Sequence, residues 1–469
     1  MVSRNACPSC VVRSTFLAIA SAFFLSTMGI LAAQRAELPA ELEVRIDRLI
    51  QQLSDVKPKV REEATAALIQ IGTPAAAKLK LAVKDATPER SRGATDILNV
   101  FARAEIGLRF SSQIKRKGLA GAVTVVLSSD GKFLYVPGHM AGAVNVFRRN
   151  AESGRLEHLQ TIADAERLAG TVTLRLSTNG KFAVASSYRS KSVTLFSRDE
   201  NTGELEIESV RSNEPDGELK LEWPIDVTFS PDDKFVYAVD DRLGAVVVFQ
   251  IEDGKHLKLV ETFVGPDQCL DGVRGITAHP NGKSLYASSF RAATLVTLDR
   301  DPMTGKLSVR QVLRDEQDGV HGLTGVVAAC VSRDGNFVYT TSGRFTGDNA
   351  VGVYQVGADG TLKVLQEFIA EKGDTKNFPS GANGITIAPD GKSVYVSGTT
   401  SRSLACFDRD PENGKLSNLK TLQTTGTGQD ADLGANGIEV SSDGKFLYLA
   451  IEDAGAISVF ERIAPKVQP

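Results

Sequence analysis

A basic stripe is missing from this chain: 54 lysines and arginines stand against 57 aspartates and glutamates, a net charge of −3. Without one, the sequence argues against a nucleic-acid surface. Cysteine is scarce, with five in 469 residues, too few and too scattered for a disulfide framework. Cys7 and Cys10 form a Cys-Pro-Ser-Cys pair inside the charged front of the N-terminus, weak ground for metal or redox chemistry. Cys330 and Cys406 fall on strand-like stretches of different repeats and read as small core residues. Cys269 sits in a loop as a candidate free thiol. No compact calcium loop of the EF-hand kind is present, and the sequence shows no cofactor. Trp223 is the only tryptophan.

What is there begins with a leader. Arg4 and Arg13 precede an apolar stretch over residues 15–33, and Ala32 and Ala33 offer a cleavage site, so residues 1–36 read as a signal peptide for export to the periplasm or beyond. An uncleaved membrane anchor is the alternative, because the stretch approaches the roughly 20 residues that span a bilayer.

From residue 127 onward one unit recurs seven times. Its opening turn is Asp130-Gly131, Asn179-Gly180, Asp232-Asp233, Asn281-Gly282, Asp334-Gly335, Asp390-Gly391 and Asp443-Gly444, at successive intervals of 49, 53, 49, 53, 56 and 53 residues. Such a period suits a four-stranded propeller blade. Asn or Asp followed by Gly supplies the positive φ of a two-residue hairpin. In the sixth copy the strands that follow are predicted over residues 393–397, 403–408 and 416–422. A second turn, with glycines at Gly154, Gly203, Gly254, Gly305, Gly360 and Gly414, occurs only six times, and the seventh unit stops after residues 456–461. The missing strand is predicted to come from residues 108–114, which lie before the first unit and would lock the ring.

The expected fold is therefore all-β, a seven-bladed propeller over residues 105–463 with four-stranded blades, followed by a short tail at 464–469. Ahead of it, residues 37–104 change to a period of 3.6, with Ile46, Leu49, Ile50 and Leu53 on one face and Val60, Ala64, Ala67, Leu68 and Ile71 on another. This segment resembles HEAT-type helical repeats, with Asp55, Val60, Arg61, Ala64 and Leu68 at the places that family fills. One to one and a half repeats cannot bury both faces, so a stabilising cap or a partner-binding element is expected.

The inner strands can be read by counting back from each turn. Positions three and five back are mostly apolar and pack between blades. Positions two and four back are predicted to face the channel, since strand side chains alternate. Two back stand Ser128, Ser177, Ser230, His279, Ser332, Ala388 and Ser441; four back stand Val126, Arg175, Thr228, Thr277, Cys330, Thr386 and Glu439. Arg175 and Glu439 are the ionisable pair at one level, with Asp226 one step nearer the long loops. They read either as a grip on a polar ligand or an activated water, or as a channel ion pair with ordered water. At the mouth, Arg274, Asn383 and Asn436 precede strand-opening glycines, and the loops add Trp223, Asp271, His321, Asp430 and Asp432. Together they suit a sugar-like or carboxylate ligand with Trp223 as a stacking surface.

The second strands of the form Phe133-Leu134-Tyr135-Val136 and Ser393-Val394-Tyr395-Val396, with the connection over residues 195–205, resemble the seven-bladed lactonase-type propellers with YVTN-type repeats, a family that includes bacterial 6-phosphogluconolactonases. That family's site stretch has the form Arg-His-hydrophobic-x-x-His-Pro-Asp-Gly, with a Glu after the second strand. Here Arg274 and His279 match, while Gly275 replaces the middle His and Phe290 the Glu. The resemblance implies the fold, and these departures withhold the reaction. Two functions are expected: binding of a small polar, sugar-acid-like ligand or a protein partner on the loop face, or lactone hydrolysis using Arg274, Arg175 and Asp226 or Glu439.

Overall fold

The computed structural model describes residues 39–213, 217–343, 347–371, 378–423 and 435–463. The leader with Cys7 and Cys10, the loop carboxylates Asp430 and Asp432, and the tail lie outside them. None of the described helices is long and apolar enough to cross a membrane.

The chain divides between Ala94 and Thr95 into two compact units. The first is helical. Helices α1 (Ala40–Gln52), α2 (Pro58–Ile71) and α3 (Ala76–Ala82) bury Ile46, Ile50, Ala64, Leu68 and Leu79 at helical spacing. Pro58 at its first position opens α2 without losing a needed N–H, and Gly72 at φ +77 ends it. Helix α4 (Pro88–Ile106) follows.

The second unit is a seven-bladed propeller of seven four-stranded antiparallel sheets. Blades 1 to 6 occupy residues 126–163, 171–212, 224–264, 273–314, 326–369 and 382–423, each in simple sequential strand order. Blade 7 takes three strands from residues 435–462 and its outermost from the other end of the propeller, where Leu108–Lys115 pairs antiparallel with Ala456–Arg462. The ring is thus closed by backbone hydrogen bonds between strands that the sequence keeps about 350 residues apart. Between the blades lie clusters of buried Val, Leu, Ile, Phe and Tyr, because both faces of every sheet need covering.

The opening turn holds itself together. In blade 1 the Ser128 hydroxyl donates to Asp130 Oδ1 at 2.6 Å and accepts from the Phe133 N–H at 3.0 Å, while Gly131 takes φ +68. The same serine bonds recur at Ser177, Ser230, Ser332 and Ser441. Of the positions two back from the turn, Ser128 and Ala388 line the channel, and the serines at this level bond within the turn. Their hydroxyls lie within reach of the turn's own orphan N–H and carboxylate and are spent there.

A second device joins blade to blade. Arg149, Arg198, Arg300, Arg409 and Arg462 end the third strands of five blades. Each donates from Nε to a tyrosine hydroxyl of the preceding blade, respectively Tyr448, Tyr135, Tyr237, Tyr339 and Tyr395. Each also donates from Nη1 to a turn glycine carbonyl of its own blade. Tyr135 passes its hydrogen on to the Gly203 carbonyl at 2.8 Å. Gly203 sits at φ +78, where a Cβ would lie 2.2 Å from the Phe133 ring, so only glycine fits.

Two joints lack the arginine and are bridged otherwise. Blade 3 carries Ile251 at that place, and Asp233 instead accepts from the Thr178 and Asn179 N–H groups of blade 2 at 2.7 and 2.8 Å. Blade 5 carries Val356, which leaves the Tyr286 hydroxyl of blade 4 buried without a partner. There His279 replaces the turn serine. Its Nδ1 accepts from the Asn281 N–H at 3.0 Å, so Nε2 carries the hydrogen that it gives to the Gly335 carbonyl at 2.8 Å. Tyr286→Phe is accordingly expected to be neutral or to stabilise by up to about 1 kcal/mol, whereas Tyr237→Phe costs about 1–2 kcal/mol. Urea denaturation of the two variants checks this, and equal losses would refute it.

Candidate functional site

The inner strands leave an axial cavity of about 1020 Å³. Six of the seven positions four back from the turns line it, namely Val126, Arg175, Thr277, Cys330, Thr386 and Glu439, as strand alternation requires. Cys330 is therefore a wall residue, while Cys406 and Cys269 are buried, and all three are free thiols.

Midway down, Arg175 of blade 2 sits 3.4 Å from Asp226 of blade 3, the arginine side chain 38% exposed and the carboxylate 12%. Asp226 Oδ2 accepts from the Ile276 N–H of blade 4 at 3.0 Å, so this carboxylate ties three inner strands together. Neighbouring blades solve the same crossing with Thr124 and Thr173, whose hydroxyls donate to the Val172 and Ile225 carbonyls at 2.9 Å. Burial pushes the Asp226 carboxyl above its usual range, and the Arg175 guanidinium and the Ile276 N–H pull it back. Glu439 is pushed up to about 7 by burial in the channel wall against the pull of Arg175.

The mouth is ringed by side chains that fix one another. Asn383 of blade 6 donates from Nδ2 to Asn436 Oδ1 of blade 7 at 2.8 Å, and Asn436 Nδ2 donates to Glu452 Oε2. Glu452 Oε1 lies 2.8 Å from His139 Nε2 in blade 1, and His139 Nδ1 lies 3.4 Å from the Tyr188 hydroxyl in blade 2. Tyr188 stacks on Trp223 of blade 3 with ring centroids 5.3 Å apart, and the Arg242 guanidinium lies 4.2 Å from the indole centroid. The indole is held from behind. Asp240 accepts backbone N–H groups of Glu222 and Trp223 on one oxygen and of Arg242 and Leu243 on the other.

Arg274 lines the cavity in blade 4, its Nε donating to Asp241 Oδ2 at 2.8 Å and its guanidinium 4.7 Å from the Phe290 ring centroid. Asp241, only 4% exposed, also accepts from Arg291 Nη1 at 2.6 Å. Phe290 thus supports Arg274 where the family pattern has a carboxylate, and Asp241 of the neighbouring blade supplies the charge.

Of the residues singled out from the sequence, the cavity brings together Arg175, Asp226, Glu439, Trp223, Arg274, Asn383 and Asn436. Three lie elsewhere. His279 is on the turn side, with both ring nitrogens committed to turns as described. Asp271 is on the outer rim, paired with Arg291 at 2.9 Å. His321 is on an exposed loop, its Nδ1 3.2 Å from Glu316, whose hydrogen bond and charge raise the imidazole pKa. None of the three lines the cavity. The stacking role expected of Trp223 is already taken up by Tyr188 and Arg242.

The mouth residues His139, Tyr188, Asp241 and Glu452 escaped the sequence reading. All stand at one repeat position, the residue directly after the second strand, which across blades 1 to 7 is His139, Tyr188, Asp241, Phe290, Gly343, Thr399 and Glu452. Comparing that position between repeats would have found them. Among the described residues no group of His, Cys, Asp or Glu is placed to hold a metal ion.

Fold and site define a closed propeller whose polar axial cavity opens among its long loops. The chain belongs to the family described as Lactonase, 7-bladed beta-propeller, whose model matches residues 101–218, 224–421 and 379–466. It is similar to the 6-phosphogluconolactonase of Bacillus subtilis, 24% identical over 191 residues, which are 41% of this chain and 51% of that protein. It is also similar to an uncharacterized protein of Lactococcus lactis, 26% identical over 235 residues, 48% of this chain and 63% of that one. The chain therefore matches less than two thirds of the length of these curated relatives. Among solved structures, the periplasmic gluconolactonase PpgL of Pseudomonas aeruginosa superposes with a TM-score of 0.53 at 21% identity. The superposition covers 64% of this chain and 85% of PpgL and shows a shared fold.

Proposed function

We propose that the axial cavity binds a small polar, sugar-acid-like ligand, with the ligand's anionic end toward Arg175 and its hydroxyls toward the Asn383, Asn436 and Arg274 side of the mouth. The observation that carries this reading is Arg175 itself. It is a cation in the wall of a closed ring, held by Asp226 at 3.4 Å and still more than a third exposed to a cavity of about 1020 Å³. Amides held by their neighbours lose little freedom on binding, which favours affinity for hydroxyl-rich ligands. The leader at residues 1–36 supports an extracytoplasmic setting, and recovery of the protein from the cytosol alone on cell fractionation would count against it.

A second reading, lactone hydrolysis, is favoured by Glu439, whose pKa of about 7 suits a general base at neutral pH. The gluconolactonase and 6-phosphogluconolactonase named above support it as relatives.

Trp223, the only tryptophan, lines the cavity and reports on it directly. Titration with gluconate and other aldonates is expected to change its fluorescence saturably, and Arg274→Ala to weaken binding about tenfold. No saturable change with any aldonate or aldonolactone would overturn the binding reading. Lactone opening, corrected for the spontaneous reaction, decides the second.

A further inference from the structure

The hydrogen bonds at the mouth have a direction. Arg189 Nε–H donates to the Tyr188 oxygen at 3.0 Å, so the tyrosine's own hydrogen is left for another acceptor. Glu452 as a carboxylate can only accept, which places a hydrogen on His139 Nε2 and leaves Nδ1 bare toward Tyr188. The other Glu452 oxygen accepts from Asn436, so the carboxylate is fixed at both ends. His139 is 9% exposed and Glu452 22%, and Tyr188, His139 and Glu452 all line the cavity. The three come from blades 2, 1 and 7 and meet across the ring closure. A nucleophile or base, a histidine of fixed tautomer and a carboxylate that orients it is the arrangement that acyl-transfer chemistry uses.

We propose that Tyr188, His139 and Glu452 form a proton relay that serves as the base for opening a lactone or similar ester at the cavity mouth; it rests on the lactone-hydrolysis reading. The attacking water forms a bond from its oxygen to the carbonyl carbon while the carbonyl π pair moves onto its oxygen, from which it returns when the ring oxygen leaves. Its proton goes to the Tyr188 oxygen as the tyrosine's hydrogen passes to His139 Nδ1, and Glu452 stabilises the resulting imidazolium. The bond from the carbonyl carbon to the ring oxygen then breaks, and the ring oxygen recovers the proton from His139 through Tyr188. The product acid loses its proton to solvent. The 3.4 Å separation of Tyr188 and His139 is long for a hydrogen bond, as is common before substrate closes a site. Tyr188 is the catalytic residue here, and His139 and Glu452 act through it.

The test compares kcat/KM for aldonolactone opening, its pH profile and aldonate binding in the full chain and in Tyr188→Phe, His139→Gln and Glu452→Gln. The groups facing His139 are Glu452 and Tyr188, with Arg189 one bond further. Tyr188→Phe is expected to lower kcat/KM about 10²–10³-fold while keeping the stack on Trp223. An acid limb in the wild-type pH profile should vanish in His139→Gln. If His139→Gln fails to fold, Tyr188→Phe carries the test. Equal lactone opening by wild type and Tyr188→Phe overturns the relay alone. Loss of the acid limb in Glu439→Gln with its retention in His139→Gln places the base in the channel and also overturns it. A protein that binds aldonates and opens no lactone overturns the relay together with the hydrolysis reading and leaves the binding reading standing.

Discussion

Arg149→Ala is expected to destabilise the propeller by about 3–5 kcal/mol, the range for removing one partner of a buried ion pair. The side chain is 2% exposed. Its Nε donates to Tyr448 at 2.9 Å, its Nη1 to the Gly131 carbonyl at 3.0 Å and its Nη2 to Asp443 at 2.7 Å, and its guanidinium lies 5.4 Å from the Phe446 ring centroid. Tyr448, Asp443 and Phe446 belong to blade 7, so the arginine crosses the joint between the last blade and the first. Truncation leaves a carboxylate and a carbonyl without their donor. Lysine cannot serve three acceptors from one planar fork, so Arg149→Lys should recover only a small part. Arg198 is the control, since it makes the corresponding bonds to Tyr135 and Gly180 while its Nη2 has no partner. Guanidinium denaturation should show a smaller loss for Arg198→Ala than for Arg149→Ala. Equal losses would mean that the closure carries no special weight.

The ring was legible because its determinants are local and repeated. A turn of Asp or Asn with Gly, an apolar stretch before it and a missing seventh outer strand dictate seven blades and a closing strand from residues 108–114, and the structure places that strand at Leu108–Lys115. The channel level four back from each turn was legible for the same reason. The level two back was legible only in part: Ser128 and Ala388 line the channel, but alternation names a side chain's face and not the bonds that a nearby turn offers it. Ser128 illustrates this with its bonds to Asp130 and Phe133. His279 looked like a site histidine, yet its meaning depends on Val356, a residue of the next blade that cannot donate to the Gly335 carbonyl. The mouth was hidden more deeply. His139 and Glu452 are 313 residues apart in sequence, and only the closed ring brings them together.

Glu439→Gln is expected to stabilise the propeller by about 2–3 kcal/mol at pH 8 and by little at pH 4. The carboxyl has a folded pKa of about 7 against an ordinary 4.5. Between those values the native state keeps a proton that the unfolded chain has released, so stability falls as the pH rises through this window, and the penalty is complete above it. Water in the cavity moderates the figure. Asp226, also raised by burial, contributes in the same direction from lower pH. Arg175→Ala should act oppositely. Removing the cation that holds both carboxylates down raises their pKa values further, extends the loss to higher pH and weakens aldonate binding about 10²-fold. Thermal midpoints of the three proteins at pH 4, 6 and 8 check the signs, and a difference between Glu439→Gln and wild type that does not change with pH would overturn the raised folded pKa of Glu439. A pH-independent difference would mean that the carboxyl titrates alike in the folded and unfolded chain, whereas a carboxyl that costs stability at neutral pH beside a partly exposed guanidinium is what a site selected for a ligand would retain. The same substitution that strengthens the fold is therefore expected to weaken what the channel does, and measuring both in one variant separates a working site from a structural ion pair.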